Sequence, residues 1–128
     1  MIGKVIKSIF TSDSDLSTLF SGRVYPVVGA QGKDNPMVVY DVTNIITNGS
    51  KDADTHIDDV DVRLTIIAKT YSDIDLGTDY IRSAFVRLNT TIGGVVVQSC
   101  EFEGKRDIFS EDEHTFGGQV DLQFRIVK

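Results

Sequence analysis

The sequence contains no tryptophan, one cysteine, two prolines and two histidines in 128 residues. A single cysteine excludes an intrachain disulfide, and with it a small fold held by cross-links. Cys100 stands inside an apolar strand pattern, where a free cysteine behaves as a small buried hydrophobe. Nothing adjacent supplies the base or cation that a reactive thiolate needs. No apolar run approaches the ~20 residues of a membrane span. Lys4 and Lys7 are followed by spaced apolar residues rather than the continuous core of a secretory signal. Positive charge is also scarce: 13 Lys and Arg face 19 Asp and Glu, a net charge of −6. Such a chain has no global electrostatic drive to grip nucleic acid, which takes clustered Lys and Arg.

The catalytic vocabulary is equally thin. His56 and His114 both lie among acidic residues, and a metal site would require the two stretches to converge in space. Neither has the glycine-bearing ligand periodicity of an EF-hand loop, so solvated strand-end loops are the expectation. No nucleophile elbow frames a serine. Gly93-Gly94 is too short for a phosphate loop. The residues therefore predict no catalytic group, no metal and no cofactor.

What is present is the patterning of one α+β domain over residues 1–128. A chain of this length buries roughly two-thirds of its unfolded surface. Ile2, Val5, Ile6, Ile9 and Phe10 recur at i, i+3, i+4, i+7 and i+8, one face of an amphipathic helix. Ser12 with Asp15 has capping-box spacing and opens a second short helix with Leu16, Leu19 and Phe20 inward. The helical region is thus 2–20. Strands are predicted near 23–27, 36–48 and 57–71, a helix near 73–89, and strands near 94–103 and 115–127. Strict alternation puts Val60, Val62, Leu64, Ile66 and Ala68 on one face of the third strand, with Asp61, Arg63, Thr65 and Lys69 on the other. The last strand alternates likewise through Val120, Leu122, Phe124 and Ile126. Ser72 with Asp75 marks the start of the later helix, whose buried stripe is Ile74, Ile81, Ala84, Phe85 and Leu88. The expected architecture is a mainly antiparallel β-sheet with two helical segments packed on one face.

The stretch 22–40 carries the most information. Gly22 suits a helix C-terminus, where glycine enters the left-handed region at no steric cost. Val24 and Tyr25 favour an extended strand, which Pro26 confines to a sheet edge. A helix ending in Gly22-Arg23-Val24-Tyr25, then Gln31-Gly32, then Pro36 and Val38-Val39-Tyr40, resembles the tail-terminator or tail-completion family of long-tailed phages. Ala30 stands where that pattern has proline.

The resemblance implies a structural virion protein with no enzymatic activity. It would form a homo-oligomer, a hexameric ring on the head-proximal end of the tail, assembled in the host cytoplasm. Its partners would be the tail-tube protein and a head-completion or connector protein. DNA would pass through the bore without specific binding, and no membrane would be involved. Another head–tail connector or tail-tube component stays open, as does, from a different class, a small-ligand-binding domain or enzyme. A pocket with convergent polar groups would favour the latter.

Because apolar faces are consumed by the core, contacts are expected on three loops, 27–35, 47–59 and 105–116. The assembly-interface candidates are Gln31 and Gly32 in the first, Asp52, Asp54, Asp58 and Asp59 in the second, and Glu111, Asp112 and Glu113 in the third.

Overall fold

The computed structural model describes residues 2–26, 36–50, 53–86, 89–92, 94–110 and 115–127; side chains are described except at 48–50, 53–56 and 110. Three helices, α1 (Ile2–Ser12), α2 (Ser14–Phe20) and α3 (Tyr71–Phe85), accompany six strands. The strands are β1 (Val24–Pro26), β2 (Met37–Ser50), β3 (Ala53–Ala68), β4 (Thr90–Ile92), β5 (Val95–Ser110) and β6 (Thr115–Val127). They form one sheet in the order β1-β2-β3-β6-β5-β4. Its pairings are antiparallel except for β1, which runs parallel to β2. The sheet is therefore mixed; the helical region expected at 2–20 consists of the two helices α1 and α2, and α3 is the second helical segment. Parallel pairing means that β1 and β2 start from the same end of the sheet.

The expected periodicities are the observed core. Ile2, Val5, Ile6, Ile9 and Phe10 are all buried along α1. Val60 to Ala68 on alternate positions of β3, and Val120 to Ile126 on β6, are at most 2% exposed. The register joins them face to face, Val60 opposite Phe124, Val62 opposite Leu122 and Leu64 opposite Val120. Phe10, Phe20, Phe85 and Phe124 form a chain of aromatic contacts with centroids 5.6 to 5.9 Å apart. Offset and edge-on geometries of this kind add stability beyond simple area burial.

The element ends differ from the sequence expectation in informative ways. The cap of α2 is Asp13, whose carboxylate accepts from the Asp15 and Leu16 amides at 3.1 Å. Ser12 instead closes α1, its hydroxyl donating to the Ser8 carbonyl at 2.7 Å. A carboxylate one residue later thus displaces the expected serine cap, leaving Ser12 to bond back along its own helix. The α3 helix starts at Tyr71 after Thr70, which makes no side-chain capping bond. Leu88 lies outside the described residues. Strand β4 was not anticipated, because three residues carry no readable period.

Gly22 does adopt the left-handed conformation (φ +77°), and Ser21 before it does too (φ +51°). Arg23 then binds both sides of the turn. Its Nε donates to the Pro36 carbonyl at 2.8 Å and its Nη2 to the Leu19 carbonyl at 3.4 Å. The Gly-Arg pair therefore ties the end of α2 to the start of β2.

Cys100 is fully buried on β5. Burial foremost, then the neighbouring Glu101 charge, pushes its thiol up to about 12. At pH 8 the thiolate is therefore negligible. Native protein is expected to resist Ellman's reagent, and denatured protein to release one equivalent. Rapid stoichiometric labelling of the native fold would contradict this burial.

Candidate functional site

The helices cover one face of the sheet and leave the other open. On the open face, the β3–β6 register sets Asp59 opposite Arg125, Asp61 opposite Gln123 and Arg63 opposite Asp121. All three pairs bond: Arg125 Nε to Asp59 at 3.1 Å, Gln123 Nε2 to Asp61 at 3.2 Å, and Arg63 Nε to Asp121 at 3.0 Å. The first and third are ion pairs with partly exposed partners, and solvent screening keeps such pairs weak. They order the face more than they hold it together. Glu103 joins them from β5. Burial raises its carboxyl above the usual range, and the nearby Asp61 and Asp121 charges raise it further.

A second polar cluster ties β5 to the start of α3. Lys105 Nζ reaches Asp107 at 2.8 Å and Asp75 at 3.6 Å. The Tyr71 hydroxyl donates to Asp107 at 2.8 Å. The Lys105 and Tyr71 hydrogen bonds, in that order, hold the Asp107 carboxyl below its ordinary value. Tyr71 also meets Phe116 edge-on at 5.9 Å, and Phe116 packs on Phe109 at 4.9 Å. Tyr, Lys and Asp together can move protons in an enclosed site, but here Tyr71 and Asp107 stand in the open. The arrangement anchors a strand to a helix.

Two depressions among the described residues are open clefts. One of about 260 Å3 lies between α2 and α3, lined by Leu19, Leu76 and Tyr80 with Asp15 and Asp73 at its margin. One of about 140 Å3 lies over Arg63 and Glu103 on the open face. Neither joins depth to the convergent buried polar groups that orient a small ligand.

Of the three expected contact loops, 27–35 lies wholly outside the described residues and the other two are described only in part. Gln31, Gly32, Asp52, Glu111, Asp112 and Glu113 lie outside the described residues, as does His114. Asp54 belongs to β3, and its side chain, like that of His56, is outside the description. The expected second and third loops are mostly strand, since β2 and β3 run from Met37–Ser50 to Ala53–Ala68 and β5 continues to Ser110. Polar residues on both faces hide such an arm from periodicity, because no buried face marks the alternation. Asp58 is 2% exposed, on the helix side of β3. It shares the parity of Val60 and Val62, so it cannot be a solvated loop acid. Asp59 does face outward, but as half of an ion pair across two strands rather than as a free loop charge.

The residues missed were Asp121, Gln123, Arg125 and Glu103. Their signal was legible: opposite charges at alternating positions of two strongly alternating strands. What the sequence did not contain was the fact that β3 and β6 are neighbours.

Comparison with known proteins gives two findings. The family model described as tail completion protein gp17 matches residues 5–127. Among solved structures, a chain of "Virion of native gene transfer agent (GTA) particle" superposes with a TM-score of 0.79 at 12% identity, over 94% of this chain and 90% of that one. At that identity the likeness establishes the fold alone. No curated protein matches.

Proposed function

We infer function from membership: this chain belongs to the tail completion protein gp17 family. It is a structural component of a phage tail and not an enzyme. On that basis we propose the finer role. Six copies form a ring that caps the head-proximal end of the tail tube, stops tube growth and offers the surface to which a head-completion protein joins. The ring assembles in the host cytoplasm, and DNA passes through its bore without specific binding.

The observation that carries this reading is the family match itself, which runs from within α1 to the end of β6 rather than over a local motif. Its support in the fold is a scaffold with one uncovered charged face. Gln31, Gly32, Asp52, Asp54, Glu111, Asp112 and Glu113 are proposed as contacts to the tube or connector. Acidic side chains at these positions would select basic partner surfaces and repel DNA phosphates. Asp59, which faces outward, is proposed with them, and Asp58, buried in the single chain, is left out of the proposal.

The test is a virion preparation lacking this protein, imaged by electron microscopy. Tails of uncontrolled length without heads are expected, with restoration by the wild-type chain. Replacing Glu111, Asp112 and Glu113 by Ser, and separately Asp52 and Asp54, should leave the thermal melt unchanged and abolish rescue in at least one set. Normal tails and attached heads in the absence of the protein would overturn the role. Full rescue by both variants would reduce the acidic positions to solvated surface.

A further inference from the structure

The two ends of the sheet have a property that the proposed ring does not itself require. Strand β2 is paired on its outer side only along Val38–Tyr40, where β1 lies. Strand β5 is paired on its outer side only along Val95–Val97, where β4 lies. Among the described residues, no strand pairs with the outer edge of 41–50 or of 98–110. Long open edges of this kind template pairing with another chain, and proteins that keep them soluble blunt or cover them.

Bulges in β2 between Val42 and Asn44, and in β5 between Val97 and Ser99 and between Phe102 and Gly104, bend these edges, yet the edge strands keep exposed apolar side chains. Eight large apolar side chains are exposed among the described residues, and six of them lie on β2 or β5: Val42, Ile45, Ile46, Val96, Ile108 and Phe109. Clustering on the two edge strands marks those strands as the surfaces awaiting a cover.

The occupant is specified by direction and charge. Successive antiparallel pairings make β2 and β5 run in opposite senses within one sheet. When two copies stand side by side in the same orientation, β2 of one therefore meets β5 of the next antiparallel. The blocked stretches lie at opposite ends of the two edges, so the free stretches meet with a stagger. Closing a sheet on itself requires such a stagger. Asp41 on β2 and Arg106 on β5 both belong to the open face and are exposed. Neither makes an ion pair or side-chain hydrogen bond among the described residues, so an Asp41–Arg106 pair across the contact is available, with the exposed Glu101 of β5 as a further acid on that face.

We propose that the outer edge of β2 at 41–50 in one copy pairs antiparallel with the outer edge of β5 at 98–110 in the next. The occupant of each edge is thus a second copy of this chain. The contact is heterologous, and such contacts close into rings when the rotation permits. It continues the sheet from copy to copy, with helices on one side and the charged face on the other. Main-chain hydrogen bonds supply affinity and the exposed apolar side chains supply specificity. The inference rests on the ring reading and names the contact within it.

Native mass spectrometry of the full chain over a concentration series tests the pairing. A β2 variant carries Ile45→Lys and Ile46→Lys, and a β5 variant carries Ile108→Lys. All three positions are exposed, and circular dichroism melts verify each fold. Wild type is expected to form closed oligomers, and each variant alone to associate at least about tenfold more weakly. Mixed in equal amounts, the variants retain one intact edge each and should stop at a 1:1 heterodimer. If a lysine variant misfolds, Asp41→Arg leaves the apolar contacts in place and should weaken association in the same direction. Wild-type association that every folded variant retains would overturn the edge assignment and leave the ring intact. A wild type that stays monomeric to its solubility limit would overturn self-pairing itself. The tail phenotype of particles lacking the protein judges the capping role separately from either result.

Discussion

Phe85→Ala is expected to lower unfolding free energy by ~3–5 kcal/mol, the range for truncating a large buried aromatic. Phe85 is completely buried at the C-terminal end of α3. Its ring meets Phe10 of α1 at 5.7 Å and Phe124 of β6 at 5.9 Å. One side chain thus joins two helices and the centre of the sheet. Truncation removes its buried area and two aromatic contacts, each worth ~0.5–1.5 kcal/mol beyond area. Close packing from three elements leaves little room for collapse into the hole. Domains of this size are stable by ~5–15 kcal/mol, so the loss is a large fraction of the whole. Urea unfolding followed by circular dichroism should show a lower midpoint at unchanged slope. Leu76→Ala, at a 42% exposed position of the same helix, should stay within about 0.5 kcal/mol. Equal effects at the two positions would refute this placement of α3.

Gly118→Val is expected to destabilise by ~1–3 kcal/mol, the usual cost of overpacking. Strand propensity alone predicts the opposite sign, since valine favours and glycine weakens a strand interior. Gly118 stands opposite Ile66 on the helix side of β6. A Cβ there would lie 2.7 Å from Ile74 Cγ2, against ordinary contact beyond 3.4 Å. The absence of a side chain is what lets α3 settle onto the sheet. Shortening the opposing residue should relieve the clash, so Ile74→Ala combined with Gly118→Val should lose less than the sum of the single losses. A coupling above about 0.5 kcal/mol in a double-mutant cycle is the expected result. Additive losses, or a stabilised Gly118→Val, would show that α3 does not lie so close to β6.

Much of the fold is legible without coordinates wherever one face of an element is buried. Val60 to Ala68 and Val120 to Ile126 alternate because one side of each strand touches helices and the other touches water. The same logic reads α1 from five apolar residues and β1 as a short edge strand from Pro26. Legibility fails where burial is equal on both sides. The outer parts of β2, β3 and β5 extend past the helices, so their side chains have no common reason to alternate. They resemble loops in sequence although the backbone is strand. Asp58 illustrates the cost: its acidic neighbours suggest solvent, while strand parity carries it to the helix side.

The sequence by itself determined the α+β class, the apolar faces of α1, β3 and β6, the left-handed turn at Gly22 and the resemblance carried by residues 22–40. These depend on contacts between near neighbours in the chain, or on the backbone preference of a single residue. Only the tertiary structure decided that β6 lies between β3 and β5, that β1 is parallel, and that among the described residues two long edges stay open. Strand order, the Arg63–Asp121 and Arg125–Asp59 pairs, and the closeness of Gly118 to Ile74 all join residues tens of positions apart. Such pairings depend on how the chain closes its loops over one shared core, and no local pattern encodes which of several apolar strands will be neighbours.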